Sequence, residues 1–473
     1  PAVNSFAAYS AVAVFVDFLL QITCFLALVA IDARRKENNR ADCAPCVKVK
    51  VDDPTSEELA DEGYLQRLVV QYYTPFLLHK VTRFFAVFGT LALLVVLASF
   101  IPQIEMGLDQ SVALPQDSYL IPYFVDQTEL LEVGPPVYFV VRGGNATALE
   151  GKTQLCYSYR ECLEDSVSNI IAEEARRPTE SYVSFSSASW MDDFLVWINP
   201  VNTKCCRVYI NDPTRFCQED VEFGCRTCYR AGDFPEFGPE GEEFMFYLDW
   251  FLKALPGTSC AFAGAAAYSD AIVPDFGNVT VTASHFRTYH TVLATQADFI
   301  NSYQNALRIS DRIMEALPGL DVFPYSLFYI YFEQYNDIVS MAFLVLSVAL
   351  LAVFLVTALI MGSLVAALFV CIPVFMIVVG LCGVMALWNI SLNAVSLVNL
   401  VMALGISVEF CAHIVRAYTT ATGTRRDRAR IALNEIGASV FSGITITKLL
   451  GVIVLAFAQS QIFVIYYFRM YIT

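Results

Sequence analysis

A carboxylate and an imidazole lie four residues apart at Glu409 and His413. They close a run of 71 residues, Ile338 to Val408, that holds no Asp, Glu, Lys or Arg. Such a run is about three bilayer spans at roughly 20–25 residues each. On a helix this spacing puts both groups on one face. An ionisable group inside a span is costly unless it has a partner, a water-filled cavity or a task. Histidine titrates near neutral pH and burial raises a carboxylate toward the same range, so the two can exchange a proton. Two readings stand. The pair is a proton or cation relay that couples an ion gradient to motion, or it is a hydrogen-bonded tie between helices. Lys448 lies about 18 Å deep, counted from the other direction along the chain at the helical rise, and needs a carboxylate or carbonyl partner; Glu409 is one candidate. Asp17 and Gln21, one turn apart in another apolar run, form a polar notch. It suits a ligand hydroxyl or a helix–helix hydrogen bond. Gly437, Ser439, Ser442 and Gly443 offer a small-residue face for close packing.

The elements that position these groups are membrane spans. The 473 residues are 56% hydrophobic. The formal charge of −16 excludes the basic face of a nucleic-acid binder. No Ser-His-Asp set, His-Glu-x-x-His or P-loop is visible, so we expect no enzyme, no metal and no cofactor. The chain begins at Pro1 and stops inside an apolar run, which reads as an internal piece of a longer protein; no targeting segment is visible. Spans are expected at 5–31, 84–104, 338–361, 364–388, 394–418 and 436–458, with a seventh beginning after Gln459-Ser-Gln461. Gly362-Ser363 and Trp388–Asn393 are the breaks, and Pro373 should kink its helix. Arg34, Arg35, Lys36 and Arg40, and the basic loop 424–430, mark the cytoplasmic side. Counting crossings from either group agrees. The division is then 1–32, a first span; 33–83, a polar cytoplasmic linker; 84–104, a second span; 105–335, an outer domain; and 336–473, the remaining helices. Cys43-Ala-Pro-Cys46 in the linker reads as a reduced thiol pair, with redox, metal or palmitoyl chemistry as alternatives.

Eight of the 14 cysteines fall in the outer domain, from Cys156 to Cys260. An even count in one polar region suggests up to four disulfides in an oxidising compartment, with on the order of 100 pairings open. Zinc at Cys225-x-x-Cys228 is the weaker reading, because no second ligand pair completes a site. Asn145-Ala-Thr147 and Asn278-Val-Thr280 are glycosylation sequons that suit the same face. Strands are expected at Val137–Val141, Tyr182–Phe185, around Val279–Val281 and at 321–331. Helices are expected at Trp190–Trp197, Phe244–Leu255 and 296–316. The fold class is a polytopic α-helical membrane protein carrying a disulfide-stapled α+β domain.

Several stretches carry a resemblance. They include Asp17-Phe-Leu-Leu-Gln21, Gly107-Leu-Asp-Gln110, Ser189-Trp-x-Asp-Asp193, Cys205-Cys-Arg207, Thr288-Tyr-His290, Ile390 to Leu400, Ser407-Val-Glu-Phe-Cys411 with His413, Phe441-Ser-Gly443 and Phe468-Arg469. In order and over nearly the whole chain, they resemble the Niemann-Pick type C family of multi-span sterol transporters, with its lysosomal and intestinal members. That family sits in the resistance-nodulation-division and Patched superfamily. The resemblance implies export of cholesterol or a related sterol from the late endosomal or lysosomal lumen, with intestinal-type uptake at the plasma membrane and recycling endosome, or a Patched-like sterol-responsive receptor, as alternatives. It implies that residues 1–32 end a sterol-sensing domain, and that the outer domain is lumenal and ferredoxin-like. It implies the disulfides Cys156–Cys162, Cys205–Cys260, Cys206–Cys228 and Cys217–Cys225. Its partners would be sterol, bilayer lipid and a soluble lumenal sterol carrier received outside this chain. It moves Glu409, His413 and Lys448 toward the relay reading.

Overall fold

The computed structural model describes residues 2–41, 47–48, 63–115, 117–130, 134–159, 161–218, 221, 223–230, 232–443 and 448–472. Two compact units make up the chain. One comprises Pro1–Thr82 with Gly423–Ala438, the other Arg83–Thr422 with Ser439–Thr473. Cys43, Cys46, Ile446 and Thr447 lie outside the described residues.

Among the described residues, five helices are long and apolar enough to cross a bilayer: Ala7–Glu37, Lys80–Gln103, Ile338–Met361, Leu364–Leu387 and Ala394–Thr420. The breaks between them have plain causes. Gly362 takes φ 62°, the left-handed conformation that ends a helix. Ser363 then caps the next, its Oγ accepting from the Ala366 amide at 3.4 Å. Asn393 caps the fifth span, its Oδ1 accepting from the amides of Val395 and Ser396 at 2.9 and 3.0 Å. In the second unit, Val370, Val374 and Val378 of the fourth span pack on Leu404 of the fifth, with Val408, Cys411 and Val415 alongside. The second span crosses the fourth at Gly383, where a Cβ would lie 2.4 Å from the Leu97 carbonyl oxygen.

Two segments differ from the sequence reading. The basic stretch read as a loop belongs to the helix Arg425–Ser442, whose start is capped by Thr424 Oγ1 accepting from the Asp427 amide. Charge made it look like a loop, yet Arg and Ala are strong helix formers. Within the linker, Tyr64–Leu68, Val69–Tyr73 and Thr74–Leu77 run on as α-, π- and α-helical turns. After the undescribed residues 444–447, the chain resumes as the helix Leu450–Leu455 and ends in the apolar helix Phe463–Ile472.

The lumenal domain, between the second and third spans, is a four-stranded antiparallel sheet. It is built from β1 (Pro136–Gly143), β4 (Ile272–Asp275), β5 (Thr280–Tyr289) and β6 (Leu320–Tyr325), in the order β4-β5-β1-β6. Helices separate β1 from β4, and Gln296–Ala316 separates β5 from β6. This is the split βαββαβ, ferredoxin-like arrangement. Alternation makes the core: Val137, Phe139 and Val141 point inward, at most 4% exposed, and meet Trp190, Phe194, Phe244 and Phe286. The helix Gln296–Ala316 starts on a capping box in which Thr295 and Asp298 satisfy each other's amides. Glu174 accepts from Arg308 and Arg312 at 2.8 and 2.9 Å, tying Val167–Ala175 to that helix. A small hairpin, β2 (Arg207–Tyr209) with β3 (Cys225–Thr227), projects from the core. The disulfides are Cys156–Cys162, Cys205–Cys260, Cys206–Cys228 and Cys217–Cys225, the pairing that the resemblance implies. Cys225 and Cys228 therefore belong to different bridges and offer zinc no thiolates.

Two expected strands are corrected. Tyr182–Phe185 makes a single bridge, Val183 to His290, because Tyr182 at φ 59° interrupts the extended chain. The strand read at 321–331 ends at Tyr325, and Tyr329–Phe332 is helical. Its aromatic composition looks β-like, but Phe328, Phe332 and Tyr335 meet edge-on or tilted at helical spacing.

His290 joins this turn to the sheet. It is fully buried; its Nδ1 lies 2.8 Å from the Tyr182 carbonyl and its Nε2 lies 2.7 Å from the Tyr329 hydroxyl. A carbonyl only accepts, so Nδ1 donates and Nε2 accepts from Tyr329. Burial disfavours the imidazolium and pushes its pKa down to about 4, against a smaller opposing effect of the Tyr182 carbonyl.

Gly383→Val drives a side chain into the Leu97 backbone and should cost about 1–3 kcal/mol of stability, read as a lower melting temperature in nanodiscs. Gly405→Ala, in open space, should leave the melting temperature nearly unchanged. Because the folded pKa of His290 is depressed, its contribution is fully present above pH 6.5 and is lost as pH falls toward 4. The loss should reach about 3 kcal/mol, seen as a falling denaturant midpoint by tryptophan fluorescence. His290→Gln should be less stable at pH 7 and flatter across that window.

Candidate functional site

The fifth span is two-faced. Leu404, Val408, Cys411 and Val415 pack on the fourth span. Gly405, Glu409, His413 and Arg416 line the exposed side, at the i, i+4, i+8, i+11 spacing of one helix face. That Glu409 and His413 share a face follows from their spacing alone; what the structure adds is the contact with Lys448. Glu409 Oε2 lies 3.2 Å from Lys448 Nζ. The ammonium also stands 4.3 Å from the centre of the Phe410 ring, a cation–π contact that suits a poorly solvated cation. Glu409 and Lys448 keep 58% and 39% of their side-chain surface open, so the pair is reachable from the open face. His413 sits one turn farther along. Among the described residues, no hydrogen bond joins it to Glu409. The structure thus brings together the acid and the lysine, and places the imidazole next in line on the same face.

In the first span, Gln21 Nε2 donates to Asp17 Oδ2 at 3.0 Å, and both are exposed. The helix widens into a π-helical turn, Gln21–Phe25, at this point. Such bulges are frequent at functional positions. Both lumenal sequons present exposed asparagines. Asn145 Oδ1 accepts from the Thr147 hydroxyl at 2.7 Å, and Asn278 Nδ2 donates to Asp275 at 2.7 Å.

Sequence reasoning missed a polar knot at the lumenal end of the fifth span. Ser391 and the Tyr466 hydroxyl share a hydrogen bond of 2.7 Å, and Asn399 Nδ2 donates to the Tyr466 carbonyl at 2.7 Å. Tyr466 lies in a π-helical stretch, Phe463–Arg469, whose altered ladder leaves carbonyls for such donors. Asn393 Nδ2 reaches the Gly107 carbonyl at 3.2 Å, just past the second span. Asn393, Ser396 and Asn399 are at most 1% exposed. The signal was present: three amide or hydroxyl residues at i, i+3, i+6 inside an apolar run demand buried partners.

Comparisons with known proteins bear on the whole chain. Residues 1–49 match the family described as the sterol-sensing domain of SREBP cleavage-activation. The pig NPC intracellular cholesterol transporter 1 is 44% identical over 483 residues, covering 100% of this chain and 37% of the relative. The rat NPC1-like intracellular cholesterol transporter 1 is 37% identical, covering 99% and 36%. A nematode Patched homologue is more distant, 24% identical, covering 99% and 37%. The chain spans little more than a third of the length of the curated relatives it matches.

Lys448→Met leaves the Glu409 carboxylate without its cation and should lower the melting temperature more than the double variant with Glu409→Gln. The cycle should show a coupling of about 1 kcal/mol, measured by thermal unfolding in nanodiscs.

Proposed function

Since the chain belongs to the Niemann-Pick type C and Patched family of membrane proteins, we propose that it forms part of a transporter. That protein exports cholesterol or a related sterol from the late endosomal or lysosomal lumen and is driven by a proton or another cation. The observation that carries the reading is the Glu409–Lys448 pair on the open face of the fifth span, at the end of a run of 71 residues without Asp, Glu, Lys or Arg. A proton arriving on Glu409 removes the charge that holds the ammonium. Its departure restores the attraction. His413, one turn away, is the group through which that proton enters or leaves. The pair therefore has two discrete states of different attraction, which is what coupling to a helix movement requires.

The match of residues 1–49 to a sterol-sensing domain supports the Asp17–Gln21 notch as a contact for a sterol hydroxyl beside the bilayer. A soluble lumenal carrier would deliver sterol to a part of the protein outside this chain. Asn145 and Asn278 would carry glycans. The 44% identity to a cholesterol transporter, against 24% to a Patched homologue, favours transport over a receptor.

Glu409→Gln in the full-length protein should slow sterol egress from late endosomes by at least about tenfold if its proton is essential. Folding and glycosylation at Asn145 and Asn278 should be retained. The readout is filipin-stained sterol in cells lacking the endogenous transporter. Normal egress by a correctly localised variant would sink the ion-coupling reading.

A further inference from the structure

Residues 64–77 form one continuous helix through the π-helical turn Val69–Tyr73. One side is held by the first unit itself. Val69 and Thr74 are 7% and 1% exposed, Gln66 Nε2 donates to the Asn434 carbonyl, and a Cβ on Gly437 would meet Val69 Cγ1 at 3.2 Å. The opposite side is open and apolar. Tyr64, Leu68, Tyr72 and Phe76 are 82%, 37%, 64% and 66% exposed. They recur every fourth residue. In a pure α-helix such a row drifts around the axis, because a turn takes 3.6 residues. The wider π turn takes up part of that drift, so the four side chains hold closer to one line. Four large apolar side chains in a row are an unsatisfied surface.

Covalent continuity says what covers it. The stripe ends four residues before Lys80, where the second span begins, so Phe76 is tied by a short connection to the start of a span. Two of the four residues are tyrosines, which favour the membrane–water interface. Cations accompany the stripe in the same unit. Lys80 follows it, and Arg425, Arg426 and Arg430 are exposed on the helix that holds its packed side. This combination is that of a helix lying in a bilayer surface, with charges complementary to anionic headgroups.

We propose that residues 64–77 are an interfacial helix docked on the cytoplasmic leaflet. Tyr64, Leu68, Tyr72 and Phe76 enter the boundary between headgroups and acyl chains, and Lys80, Arg425, Arg426 and Arg430 meet anionic lipid phosphates. The partner is the phospholipid surface, not a second protein.

The test is a nitroxide scan of the whole chain in nanodiscs of phosphatidylcholine and phosphatidylserine. Single cysteines replace Leu68, Gln71, Tyr72 and Phe76 in a background whose unpaired cysteines are serine. Collisions with oxygen, which concentrates in the bilayer, are compared with collisions with a water-soluble nickel chelate. The oxygen-to-nickel ratio should be several-fold higher at Leu68, Tyr72 and Phe76 than at Gln71. High nickel access at all four positions would overturn the proposal, and so would a stripe reached by neither reagent, which would mean a protein partner covers it. An unchanged ratio at Phe76 in phosphatidylcholine alone would overturn the role given to Lys80 and the three arginines.

Discussion

A carboxylate inside a bilayer has to be answered, and most of what is unusual in the membrane part of this chain follows from that requirement. Glu409 is answered by Lys448 at 3.2 Å, and the lysine in turn by the Phe410 ring. Neither ion could stand alone at that depth without several kcal/mol of cost. The fifth span therefore keeps its apolar side for the fourth span and its polar side for the pair. The same logic runs at its lumenal end. Asn393, Ser396 and Asn399 are buried, and each spends its amide or hydroxyl on caps, on the Gly107 carbonyl or on the Tyr466 carbonyl. The span is thus fixed firmly at one end and held by an ion pair near the other.

The lumenal domain is rigid by different means. Its sheet is packed against helices, and the segment between β1 and β4 is stapled by four disulfides. Its last strand leads through the short turn Tyr329–Phe332 into the third span. His290 clamps that turn through Tyr329, and its depressed pKa keeps the clamp neutral in moderately acidic surroundings. Sheet and span are joined there by a packed aromatic turn. Phe299, Phe328 and Phe332 pack around the same point.

Much of this was legible from residue types. The span breaks at Gly362-Ser363 and Asn393, the helix at 296–316 and the inward face of β1 each follow from a local rule that tertiary structure did not override. Tyr182–Phe185 and 326–331 were misread because aromatic and β-branched composition resembles a strand, while a left-handed residue and aromatic contacts at helical spacing decided otherwise. At the candidate site, Glu409 and His413 stood out as charges in an apolar run. Lys448 stood out too, with Glu409 as one candidate partner; which partner it takes was not legible, because contact across 39 residues is set by helix packing. The polar knot around Tyr466 was hidden for the same reason. Its amides were visible, but a carbonyl released by a π-helical turn leaves no mark in composition.

The central claim is that a proton or cation moving through Glu409 drives sterol movement. The most direct measurement is sterol transfer by the full-length protein in proteoliposomes, with and without an imposed proton gradient, for the wild type and for Glu409→Gln. The account requires that the gradient accelerate transfer by the wild type and leave Glu409→Gln at the rate seen without a gradient. Equal acceleration of both proteins would contradict it.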